Sequence, residues 1–380
     1  MNSKYIIHVV TVILIVGAFN LPAFAAEPSS FDTGHKLYPV NSEGNWGYMD
    51  EEGEVVIPYR FRQVAEFSEG MAAVQIGTKW GFVNTQGEVV IAQQFKKTRH
   101  FSEGLAAVQQ GKKWGYVNRS GEMVISPQFE QARPFSEGRA WVVLNRRVGY
   151  IDTSGDLAIQ AIYMVPFDHS QDEFRNGMVR VHLGTKVGYV DMNGEYVIPP
   201  DYDGLGNFSE GLTWFRQGTS WGFITRHNEL VIVAQPHEVG DFHEGFARIV
   251  VDGLTGYMNT AGEILVEPQF ADAGDFSEGM AWVVKKGKVG YIDHTGLLVI
   301  KPKYDVEERR FMGDFVDGRA RVIKKERYGF IDRDGKWVIK NKYDNATDFR
   351  NGLARVEVGF RYSAKIGYYD ELGNAVRSTK

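Results

Sequence analysis

Gly111-Lys112-Lys113-Trp114-Gly115-Tyr116-Val117-Asn118-Arg119-Ser120-Gly121 is the stretch on which the fold turns. Leu105 to Gln109 before it reads as one strand, and Gly111-Lys112-Lys113 closes a hairpin onto a second, Trp114 to Val117. Asn118 at the first turn position and Gly121 at the fourth is the preference of a type I turn, often with a glycine bulge. Glu122-Met123-Val124-Ile125 then reads as a third strand. Along the middle strand, side chains alternate between faces, so Trp and Tyr share one side and Gly and Val the other.

The unit recurs along the chain. Glycine followed by Tyr or Phe stands at Gly47, Gly81, Gly115, Gly149, Gly188, Gly222, Gly256, Gly290, Gly329 and Gly367, at intervals of 34, 34, 34, 39, 34, 34, 34, 39 and 38 residues. The Asp/Asn…Gly turn repeats, from Asp50/Gly53 to Asp370/Gly373, and the one copy without glycine has Asn228, which tolerates positive φ. The Val/Ile run is often ended by proline (Pro58, Pro127, Pro199, Pro268, Pro302), as suits a strand end or an edge. A connection carrying Phe-Ser-Glu-Gly follows, at Phe67, Phe101, Phe135, Phe208 and Phe276. The two 39-residue copies lie 141 residues apart, as if a four-copy block had been duplicated. No long helical periodicity is present.

Gly111 to Gly121 resembles the WG-containing repeat, also called KWG, of bacterial proteins, and the resemblance spans residues 31–374. It implies a non-enzymatic β-repeat protein, often exported and assigned to interaction roles. The expected fold is all-β: about ten three-stranded units of 34–39 residues stacked as an open β-solenoid. A β-propeller is the rival, set back because blades usually need four strands and ten exceeds the usual count. Stacking of neighbours supplies the core of such an array.

Residues 1–25 read as a secretory signal: Lys4 in the n-region, an apolar run from Tyr5 to Phe19, and Ala23-Phe24-Ala25 before the cleavage point. The run is 15 residues, short of the roughly 20 that cross a bilayer. Residues 26–45 form a lead-in with a capping strand, Phe31 to Val40, and residues 46–380 the repeat domain. The expected location is periplasmic or secreted, with no transmembrane segment after cleavage. The chain has no cysteine, which removes disulfides, thiol catalysis and Cys-ligated metal sites. A net charge of −5 argues against nucleic acid as a partner.

The Glu of each Phe-Ser-Glu-Gly offers one acid per turn, too few for calcium, so a side-chain-to-backbone bond is expected of it. Repeated carboxylates and serines give no unique acid pair or nucleophile, and no enzyme, cofactor or metal is expected. The informative position lies midway along the first strand of each unit. It reads Ala73, Ala107, Trp141, Arg180, Trp214, Arg248, Trp282, Arg321 and Arg355. In a stacked array these Trp and Arg residues alternate down one face. Cation–π packing between neighbours is one reading. The other is a binding stripe of Trp141, Arg180, Trp214, Arg248, Trp282, Arg321 and Arg355. The function expected is an exported scaffold binding another protein, with a cell-wall glycan-binding module as the alternative.

Overall fold

Two consecutive residues with positive φ make a type I′ turn, whose twist matches that of paired strands. Glu103 (φ 54°) and Gly104 (φ 78°) form such a turn between Lys97–Ser102 and Leu105–Gln110. Phe-Ser-Glu-Gly is therefore itself a hairpin. In the computed structural model, which describes residues 36–165, 173–234, 238–306, 313–359 and 365–377, this adds a strand to the expected unit. The third copy has four antiparallel strands: Lys97–Ser102, Leu105–Gln110, Lys113–Asn118 and Met123–Phe129. Eight of the ten described sheets have four strands in chain order. The first (Tyr38–Ser42, Asn45–Met49, Val55–Phe61) and fifth (Met178–Leu183, Lys186–Asp191, Tyr196–Tyr202) have three. We number these sheets blades 1 to 10, and their strands first to fourth by position in the complete unit. No helix occurs among the described residues.

The three-stranded unit expected from the sequence is thus corrected to four. The extra strand was hidden because its first residues, Lys97-Thr98-Arg99-His100, are polar, and because in blades 2, 6, 8, 9 and 10 it is only two residues long. The fourth strand runs on through its proline, as in Met123–Phe129 around Pro127. There the register slips: Tyr116 faces Ile125 while Trp114 faces Phe129, so a bulge folds over Gly115. Proline at a bulged edge strand loses no ladder bond.

Blades pack face to face through aromatic pairs. The Tyr or Phe after each repeat glycine meets the Phe of the next blade's Phe-Ser-Glu-Gly or variant, as in Phe82–Phe101 at 4.9 Å and Tyr116–Phe135 at 5.0 Å. Nine junctions repeat this, with ring centroids 4.6–5.3 Å apart. Each such pair contributes about 0.5–1.5 kcal/mol beyond burial. A tenth junction joins the ends of the chain: Tyr368 packs on Tyr38 at 5.8 Å, and Val40 and Met49 share a core with Leu353, Ile366 and Tyr368. The open solenoid is therefore wrong. The chain closes as a ten-bladed β-propeller, because blade 10 offers blade 1 the contact every blade offers the next. The expected capping strand is described only as Tyr38–Ser42. Its start at Phe31 and the signal, residues 1–25, lie outside the described residues.

A hydroxyl accompanies most of these pairs. Tyr116 donates to the carbonyl of Arg133 (2.7 Å), Tyr257 to Gly274 (2.6 Å) and, at the closure, Tyr368 to Pro39 (2.7 Å). Phe82, Phe223 and Phe330 hold the same position without it. Tyr116→Phe is expected to cost about 1 kcal/mol in urea unfolding, the net worth of one such bond. A cost near 3 kcal/mol would mean the ring itself had repacked.

Candidate binding site along the second strands

The serine and glutamate of each Phe-Ser-Glu-Gly turn reach the next blade. Ser68 Oγ donates to Phe101 O (2.7 Å) and Ser102 Oγ to Phe135 O (2.7 Å). The Glu69 carboxylate accepts from the amides of Glu103 (2.6 Å) and Gly104 (3.0 Å), and Glu137 from those of Asn176 (2.7 Å) and Gly177 (2.8 Å). The expected side-chain-to-backbone bond exists, but it caps the neighbouring turn rather than its own. No group of three or more His, Asp or Glu among the described residues is placed to hold a metal.

Each candidate stripe residue lies opposite the repeat aromatic: Trp141 faces Tyr150, Arg180 Tyr189, Trp214 Phe223, Arg248 Tyr257, Trp282 Tyr291, Arg321 Phe330 and Arg355 Tyr368. They occupy one level of the ring over blades 4 to 10, with Pro39, Ala73 and Ala107 at that level in blades 1 to 3. The face of a rod becomes an arc. Trp141 (2% exposed) and Trp282 (9%) are buried, whereas Trp214 and the four arginines are half-buried.

Three of them, Arg248, Trp282 and Arg321, touch a row of acids that the sequence reading passed over. Arg248 Nε binds Asp275 Oδ1 at 2.6 Å, and Arg321 Nε binds Asp348 Oδ1 at 2.9 Å. The Trp282 side chain hydrogen-bonds the Asp314 carboxylate. In each case the donor is in one blade and the acid lies beside the two-residue first strand of the next. Asp241, the fourth acid, accepts from the Asn207 amide (3.2 Å) and side chain (3.3 Å) beside Trp214. Three of these acids sit in Gly-Asp-Phe (240–242, 274–276, 313–315), and Thr347-Asp348-Phe349 is the fourth copy. At Gly274 the glycine is required because a Cβ would overlap the indole of Trp282, and at Gly206, before Asn207, one would overlap that of Trp214.

Electrostatics follow from this crowding. Burial, then the charges of Asp348 and Asp275, push the Asp314 carboxyl up to about 6, opposed by His243 and the Trp282 bond. Burial likewise raises Asp241, opposed by Asn207 and His243. That one acid feels blades 7, 8 and 10 places the first strands where the blades converge. In blades 5 and 6 the row is incomplete: Glu173 is exposed and Asn207 replaces an acid. Trp141 Nε1 and Arg180 Nε are buried without a partner, although Arg180 Nη1 donates to Leu205 O at 2.7 Å. Arg133 lies over the Trp141 ring at 4.8 Å, and Arg355 pairs with Glu357 at 2.7 Å.

The fold and this blade-to-blade polar row define a closed β-propeller repeat protein. The chain belongs to the WG containing repeat family, whose model matches residues 46–80, 80–114, 114–146, 188–218, 221–254, 256–288, 290–328 and 328–359. By sequence, no curated protein matches it. Its fold is similar to a crystal structure of the eukaryotic initiation factor, at 10% identity and a TM-score of 0.53, covering 90% of this chain and 94% of that one. Kluyveromyces lactis Hsv2p aligns at 11% identity and a TM-score of 0.32, over 69% of this chain and 92% of that one.

Proposed function

We propose that this propeller is an exported, non-catalytic scaffold that binds another protein. The observation carrying the reading is an apolar residue at the second position of every fourth strand: Val56, Val90, Val124, Ala158, Val197, Val231, Leu265, Val299, Val338 and Val376. Val56, Val90, Val124, Val231, Leu265 and Val299 are 40–49% exposed. These strands are sheet edges, and a repeated exposed apolar position beside open edges is what protein contacts use. Export is supported by the pattern of residues 1–25.

The test is fractionation of expressing cells, with a photo-crosslinking residue at position 90 or 265. The expected result is a shortened chain outside the cytosol that crosslinks to one protein, with the crosslink lost in Val231→Glu. An uncut cytosolic chain would overturn export, and no crosslink from either position would overturn the scaffold reading. The glycan alternative now rests on Trp214, half-buried beside Trp221 at 5.4 Å, because the other two stripe indoles are covered. Co-sedimentation with peptidoglycan sacculi that Trp214→Ala abolishes would favour it.

A further inference from the structure

An edge strand offers unpaired backbone groups to any other strand that reaches it, and proteins blunt such edges with bulges, proline or charge. Most outer strands of this ring are blunted. In eight blades the register between third and fourth strands slips twice around the repeat glycine. The residue after the buried Ile or Val of the fourth strand is proline, alanine or polar in all eight, with Pro58, Glu267 and Lys301 among them.

Blade 6 is the exception. Its fourth strand, Leu230–Ala234, reads Leu-Val-Ile-Val-Ala, without charge or proline. Trp221 faces Ala234, Gly222 faces Val233 and Phe223 faces Ile232 in unbroken register. Val233 stands where the other blades bulge, opposite a residue with no side chain, and is 65% exposed. Leu230 and Val231 are exposed beside it. Blade 6 lies across the ring from the junction of blades 1 and 10.

The backbone defines what fits this edge. Gln217 and Ser220 close the two-residue hairpin between the second and third strands, and hydrogen-bonded pairs alternate from there. Trp221 and Phe223 therefore turn their backbone groups toward the fourth strand, where Ala234 and Ile232 meet them. Val231 and Val233 turn theirs outward.

We propose that a second copy of this chain pairs on this edge, antiparallel about a two-fold axis at Ile232. Val231 then lies opposite Val233 of the second copy, and Val233 opposite its Val231. The outward backbone groups meet, and β-branched side chains pack across the new pair. The strand holds no charge to repel its own kind, whereas the fourth strands of blades 7, 8 and 9 carry Glu267, Lys301 and Lys340. The contact is isologous, so assembly stops at two. Dimer and scaffold share only the exposed edge residues as support, and they fail separately. A monomer that crosslinks to another protein sinks the dimer alone, and a dimer that crosslinks only to itself sinks the scaffold alone.

The test is sedimentation equilibrium of the full chain up to about 100 µM, where contacts of micromolar strength are populated. The expected result is a monomer–dimer equilibrium that Val233→Lys weakens about tenfold or more, by bringing like charges together across the axis. Val90→Lys, on the bulged edge of blade 2, should leave it unchanged. Both sites are exposed, so the variants should keep their fold, checked by circular dichroism. Register is read by cysteine, which the chain lacks. Val231→Cys and Val233→Cys each carry one thiol, and a hydrogen-bonded pair, with Cα atoms about 5.5 Å apart, is within disulfide reach. An oxidised equimolar mixture should give several-fold more covalent dimer than either variant alone. A wild type that stays monomeric, a dimer that Val233→Lys leaves intact, or a mixture that crosslinks no better than the single variants would each overturn the assignment.

Discussion

Gly115→Ala is expected to destabilise the protein by about 3 kcal/mol, a cost at the upper end of overpacking substitutions. A Cβ at Gly115 would stand within 3.0 Å of Ile125 O, with Ser126 and Pro127 backbone behind it, so no side-chain rotation can relieve the clash. The bulge of the fourth strand is wrapped over the glycine, and Ile125 belongs to the buried core of that junction. Nine of the ten repeat glycines meet the same obstacle, each from the carbonyl ten residues on. Gly111→Ala is the control: its φ is +62° and nothing lies within 4 Å of the new atom. Only the left-handed backbone is then penalised, about 1 kcal/mol. Urea unfolding of the two variants separates the effects. Equal costs would mean that the glycine serves conformation, not close approach.

The same contrast explains how much of this molecule was legible in its sequence. The repeat, the two hairpin turns, Asn228 as a stand-in for glycine (φ 61°) and the buried aromatics all follow from local rules, and local rules act within one unit. The first strand of each blade was not legible because residues such as Arg99 and His100 break the apolar alternation that marks a strand. Closure was not legible either, since it depends on the rotation from one blade to the next. That rotation is set by how Phe101 seats against Phe82, and no residue type records it. The stripe was visible through Trp and Arg, but its meaning lay in the acid one blade on. That position reads Glu66, His100, Pro134, Glu173 and Asn207 before settling on Asp in blades 7 to 10. A signal was present in the three copies of Gly-Asp-Phe, where the glycine lies against the stripe residue of its own blade: the Trp282 indole at Gly274, the Arg321 backbone at Gly313 and the Arg248 side chain at Gly240.

Asp314→Asn should stabilise the protein above pH 6 by up to about 3 kcal/mol, an effect that vanishes below about pH 4. In the unfolded chain an aspartate titrates near 4. In the fold, burial and the neighbouring Asp348 and Asp275 carboxylates raise Asp314 to about 6, against the pull of His243 and the Trp282 bond. Below both values the carboxyl is protonated in either state and contributes nothing. As pH rises between them, the unfolded state releases the proton first, so stability falls, and above 6 the loss is complete. Two pKa units correspond to roughly 2.7 kcal/mol. Asparagine keeps an oxygen for the Trp282 indole and carries no charge, so the variant should lack this slope. Other carboxylates run the opposite way: Asp152 and Asp293 are held low by hydrogen bonds from Ser154 and Thr295, and their contribution is lost on acidification. The difference between wild type and Asp314→Asn across pH 3.5 to 8 removes those common contributions and leaves the one acid. If the variant is instead less stable at pH 7.5, the Asp314 carboxylate holds blade 8 to blade 9 as a charged acceptor. The row of Trp and Arg donors would then be a set of inter-blade clasps whose strength rises with pH.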